Sequence, residues 1–87
     1  MINVQSLSPT TFRVTVSGTT ETTHMVTVAP EYAAKLTKGD HSVGHLVKAS
    51  FEFLLEREPN TSILREFDLP LIGRYFPEYE REIGSLL

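Results

Sequence analysis

The chain has 87 residues, no cysteine and a net charge of −3. That length makes one small domain with a modest core, and the missing thiols exclude disulfides, zinc–cysteine centres and thiolate chemistry. The eight Lys and Arg residues form no basic run, which weighs against a general binder of nucleic acid or anionic membranes.

The start, MINVQSLSP, has neither a basic segment nor an apolar stretch, so it does not read as a signal peptide. No apolar run approaches the ~20 residues that span a bilayer. A soluble, cytoplasmic protein is the expectation. Within Met1–Pro9, Ile2 and Val4 alternate with polar residues, which fits a third short edge strand or a loose terminus.

Phe12–Ser17 alternates cleanly, with Phe12, Val14 and Val16 on one face and Arg13, Thr15 and Ser17 on the other. Thr22–Val28 alternates too, and Gly18 with Thr19, Thr20 and Glu21 reads as the hairpin loop between them. Burial of the apolar set suggests Phe12 opposite Val28, Val14 opposite Val26 and Val16 opposite His24; a one-residue slip would expose it. A lone hairpin is barely stable in water, so its apolar face needs a helix or a second chain.

Pro30 opens a helix through PEYAAKL, and Gly39 reads as its stop. Ser42 is a fitting N-cap for the one long helix, SVGHLVKASFEFLLERE, which must end near Glu58 because Pro59 follows. On that helix Val43, Leu46, Val47, Ala49, Phe51, Phe53, Leu54 and Leu55 spread over roughly 240° of the circumference, against the ~100° stripe of an ordinary surface helix. Such a helix needs neighbours on both flanks, from its own chain or from a partner.

Beyond it, Asn60 or Thr61 caps a short turn over Ser62–Phe67, and Asp68 caps the next helix with Pro70 in its first turn. Leu69, Ile72, Phe76, Tyr79, Ile83 and Leu86 then recur at steps of three and four, an apolar seam that Pro77 splits into two short helices or kinks. The expected whole is a single α+β domain over residues 1–87. It pairs an N-terminal antiparallel hairpin with a central long helix, and short C-terminal helices close the other side.

Few residues suggest chemistry. His41 and His45 are four apart beside Asp40, a spacing that puts two metal ligands on one helix face, but no third ligand stands out and no metal or cofactor is expected. His24 falls on the hairpin's apolar face, as a histidine bonded to backbone or as a pH switch. Glu56, Glu58, Glu66 and Asp68 stand among Arg57 and Arg65, which reads as a solvated salt-bridge network joining two helices. No nucleophile motif and no glycine-rich phosphate loop is present, so catalysis is not expected. The segment Tyr75–Glu80 is the densest aromatic run. Tyr75, Phe76, Glu78 and Tyr79 are the candidates for a protein-recognition patch, with core packing the plainer role for Phe76 and Tyr79.

Two resemblances add to this. Residues 23–58 are similar to a ribbon-helix-helix unit: HMVTV as the ribbon, PEYAAKL and SVGHLVKASFEFLLE as the helices and TKGDH between them. The resemblance implies a homodimeric, antitoxin-like DNA-binding regulator whose ribbon presents Thr23, Met25 and Thr27 to the major groove. The stretches SFEFLLEREP, ILREFDL and YFPEYE resemble small bacterial proteins of no assigned function, which implies no activity, cofactor or site. The reading favoured by the residues is a small non-enzymatic interaction or regulatory protein. Its expected partner is another protein or a second copy rather than nucleic acid, which stays the partner under the DNA-binding alternative, and no membrane is expected.

Overall fold

Phe12, Val14 and Val16 alternate with Arg13 and Thr15, and this segment becomes an inner strand of a four-stranded sheet in the computed structural model, which describes residues 1–87. The strands are β1 (Ile2–Ser6), β2 (Thr11–Val16), β3 (Thr22–Thr27) and β4 (Glu66–Asp68), in spatial order β1-β2-β3-β4. β1, β2 and β3 are antiparallel neighbours; β4 joins β3 in parallel. The helices are α1 (Pro30–Thr37), α2 (Val43–Leu55), α3 (Leu71–Tyr75) and α4 (Tyr79–Leu86), with a 3₁₀ turn at Asn60–Ser62. The fold is α+β.

Several expectations are corrected. The β2–β3 pairing is shifted by two residues: Phe12 faces Val26, Val14 faces His24 and Val16 faces Thr22. An even shift keeps every side chain on its face, so burial could not distinguish the two registers. Val28 lies beyond the strand, its amide donating to the Thr10 carbonyl at 2.8 Å. Of the two readings of Met1–Pro9, the strand is the one that holds, because Ile2–Ser6 pairs with Phe12–Val16 of β2. The short turn expected over Ser62–Phe67 lies earlier, at Asn60–Ser62, and the end of that segment becomes β4, bracketed by bonds from Met25 N to Arg65 O (2.7 Å) and from Leu69 N to Thr27 O (2.9 Å). Asp68 ends that strand and caps nothing; Pro70 precedes α3 without a side-chain cap.

Elsewhere local chemistry acts as read. Ser42 Oγ accepts from His45 N at 3.1 Å and starts α2, which stops at Leu55, three residues before the expected end. Phe76 leaves helical geometry (φ −130°, ψ 89°), as a residue before proline prefers, and splits the seam into α3 and α4.

The core is one cluster of 19 buried apolar residues drawn from every helix and from β2, β3 and β4. α2 runs through its middle. Phe51 packs against His24 and Phe67 of the sheet, with ring centroids 5.3 and 6.1 Å away. Phe53 meets Phe76 and Tyr79 edge-on at 5.9 and 5.2 Å. The second flank of α2 is therefore covered within the chain. Ser50, also fully buried, donates its hydroxyl to Leu46 O (2.8 Å) and so accepts from the Tyr79 hydroxyl (2.6 Å). Outside the core, Arg57 stacks on the Phe53 ring at 3.6 Å and pairs with Glu56, Glu78 and Glu82. The expected network does join two helices, but through α4 and its preceding turn; Glu66 and Asp68 lie on β4 instead.

α1 ends with Lys38 at φ 55° and Gly39 at φ 79°, two successive left-handed residues. Glycine takes this geometry freely, whereas a side chain makes it costly. Lys38→Gly should therefore stabilise the protein by about 0.5–1 kcal/mol, the relief of strain exceeding glycine's entropy loss. Thermal melting should show a rise of a few degrees, and an unchanged or lower midpoint would contradict the strain at Lys38.

Candidate functional site

Where α2 ends, the chain cannot close over its own core. Pro59 forbids further helix, Asn60–Ser62 makes a single tight turn, and α3 approaches from the other side. The gap is an open pocket of about 280 Å³ lined by Leu54, Glu58, Ser62, Ile63, Leu64, Phe67, Leu71, Ile72, Tyr75 and Phe76. Ile63, Phe67 and Ile72 form its buried base; Leu64 and Tyr75 stand at 47% and 66% exposure. Large apolar side chains are seldom so exposed without a reason when they cluster beside a concavity. A second hollow is lined by Thr10, Thr27, Ala29, Pro30, Asp68 and Pro70, without a large aliphatic or aromatic side chain.

Glu58 is the one carboxylate in the apolar pocket. It forms no ion pair, and burial pushes its pKa above the ordinary value. No histidine, lysine or second carboxylate lines the pocket with it. A lone acid without a proton partner can recognise a cation or a donor, but lacks the paired groups of acid–base catalysis.

The loop carrying Leu64 is tied to the sheet by a chain of polar contacts. His24 is fully buried and bonds Leu64 O at 2.7 Å through Nδ1 and Thr22 Oγ1 at 2.9 Å through Nε2. A carbonyl can only accept, so Nδ1 carries the proton and Nε2 accepts from the threonine hydroxyl. Asn60 Nδ2 in turn donates to Thr22 Oγ1 (3.0 Å) and Thr20 O (2.7 Å). Every member is satisfied, and no buried side-chain nitrogen or oxygen lacks a partner.

Of the recognition candidates, Tyr75 and Phe76 do line the pocket. Tyr79 is 0% exposed and packs in the core, so it presents nothing to a partner. Glu78 is turned to Arg57, and its own backbone amide, then that guanidinium, hold its carboxyl below the ordinary range. Sequence reasoning missed Glu58, Ile63 and Leu64 as pocket residues; the available signal was Ile63–Leu64, an apolar pair four residues after Pro59, of which only Ile63 is buried.

Thr23, Met25 and Thr27 lie on the sheet face away from the core, with Arg13 opposite Met25 on β2 and Glu66 opposite it on β4. The strand bearing them is paired along both edges. His41 and His45 stack their rings at 5.0 Å, and no group of three or more His, Asp or Glu side chains converges where a metal ion could bind.

Burial lowers the His24 pKa; the bond to Leu64 O opposes this in part, and the Arg65 charge adds to the lowering. The unfolded chain then takes up a proton near pH ~6.5 that the folded protein refuses, so this contribution to stability is complete above that pH and declines as pH falls towards the folded value. Urea unfolding between about pH 7 and about pH 5 should lose up to ~1.4 kcal/mol per pH unit, before ordinary carboxylates titrate. His24→Gln should flatten that dependence, and a wild-type profile as flat as the variant's would contradict the assignment.

No helix is long and apolar enough to cross a membrane. No family model, curated protein or solved structure matches the chain.

Proposed function

We propose that this is a small non-enzymatic interaction protein of the cytoplasm that takes an apolar side chain of a partner protein into the pocket between α2 and α3. One observation carries the reading: Leu64 and Tyr75, exposed apolar residues from separate segments, flank a single apolar concavity. Covering each with partner surface is worth about 1.5–3 kcal/mol, enough to make a small contact a binding hot spot. Glu58 adds direction. Unpaired and partly desolvated, it favours a partner whose apolar anchor sits next to a Lys or Arg.

A DNA-binding regulator has weaker support. A ribbon shared between two chains needs a strand with a free edge, and β3 has β2 on one side and β4 on the other. Around Thr23, Met25 and Thr27 the open face carries Arg13 but also Glu66 and Asp68, which repel phosphate.

A displayed peptide library selected on the wild-type protein tests the reading. The expected enrichment is a bulky apolar residue within a few positions of Lys or Arg. Leu64→Ser and Tyr75→Ser should each weaken the selected peptides about tenfold or more, and Glu58→Gln several-fold, with melting temperatures held. Enrichment without that pattern, or binding indifferent to all three substitutions, would overturn it.

A further inference from the structure

The two edges of the sheet are treated differently. β4 is three residues long, carries Glu66 and Asp68 and is followed closely by Pro70, the usual guards of a strand edge. β1, INVQS, has no charge and no proline, and only β2 pairs with it. Its register fixes which backbone groups are free. Met1 and Ser17 exchange both hydrogen bonds, at 2.9 and 3.1 Å, and Leu7 N donates to Thr11 O at 2.9 Å. Hydrogen-bonded pairs alternate along an antiparallel ladder, so Met1, Asn3, Gln5 and Leu7 point their amides and carbonyls at β2. Ile2, Val4 and Ser6 point theirs outward.

We infer that β1 pairs antiparallel with β1 of a second copy across a two-fold axis at Val4, joining two four-stranded sheets into one of eight. The strand is complementary to itself in that register. Val4 meets Val4 of the second copy, Ile2 meets its Ser6 and Ser6 its Ile2, so all three outward-facing residues fall in hydrogen-bonded pairs. Asn3 then stands opposite Gln5, two uncharged amides on the exposed sheet face. Met1 and Leu7, 90% and 41% exposed, are brought alongside each other at both ends of the ladder. These are the chain's two other exposed large apolar residues, besides the pair at the pocket. Ile2 and Val4, half-buried over the helices, are covered further by the same contact. This contact is independent of the pocket, so either can fail without the other.

The test is light scattering on the full chain over a dilution series from the millimolar to the micromolar range, with amide hydrogen exchange at the concentrated end. The expected mass at high concentration is close to twice the chain's 9.8 kDa. The amides of Ile2, Val4 and Ser6 should be protected there and exchange freely on dilution, while those of Asn3 and Gln5 stay protected throughout. Ser6→Pro removes one outward donor and spares the β2 ladder, so it should shift association by about tenfold or more in concentration. If that variant does not fold, Asn3→Lys with Gln5→Lys sets like charges opposite each other across the axis and should do the same. A monomer at every concentration overturns the inference, as does a dimer in which Ile2, Val4 and Ser6 exchange freely.

Discussion

Phe51 and Phe53 are two residues apart on α2 and so leave the helix about 200° from each other. Neither can be buried by the layer that buries the other. Phe51 needs the sheet, where His24 and Phe67 receive it; Phe53 needs α4 and the turn before it, where Phe76 and Tyr79 receive it. The rest of the architecture answers to that demand. The C-terminal segment must return across α2, and the link from α2 to α3 must be short enough to bring it there. A chain of this size gains little from surface ion pairs, so this two-sided burial is its main source of stability. With a Cα radius of gyration of 11.8 Å, the chain is as condensed as the ~12 Å expected for a compact chain of its length.

The pocket follows from the same arrangement. One segment must leave α2, complete a turn, contribute β4 and start α3 between Pro59 and Leu71. With so few residues it cannot also cover the end of the core, and Leu64 and Tyr75 are left at the rim. The opening is nonetheless held in shape. His24 and Asn60 tie both ends of the turn to the hairpin, so the pocket wall is anchored to the sheet. A preformed apolar concavity with one unpaired carboxylate is suited to recognition, because little ordering is left for a partner to impose.

What could be read from residues alone was whatever depends on period and on caps. The 240° arc of α2 demanded neighbours on both sides, Ser42 marked its start, and the seam from Leu69 to Leu86 broke at Pro77 where the chain turns from α3 to α4. β4 escaped because three residues cannot show alternation, and Ile63, Leu64 and Phe67 imitate a helical spacing while belonging to a turn and a parallel strand. The pocket was half visible. Tyr75 and Phe76 stood out as aromatics, but Glu58 and Leu64 reach it only through the placement of that parallel strand, a long-range pairing with no local mark. One edge of the sheet was within reach, since Ile2 and Val4 alternate as a short edge strand would; the other was not, because β4 docks through that same long-range pairing.

Native-state hydrogen exchange along α2 tests this account most directly. If both flanks of α2 are closed by one cooperative core, the amides of Ser50–Leu54 exchange only through global unfolding, with a free energy equal to that from denaturant titration. Exchange of those amides through an opening well below the global value, in step with α4, would show the C-terminal helices to be a loose cover and would contradict it.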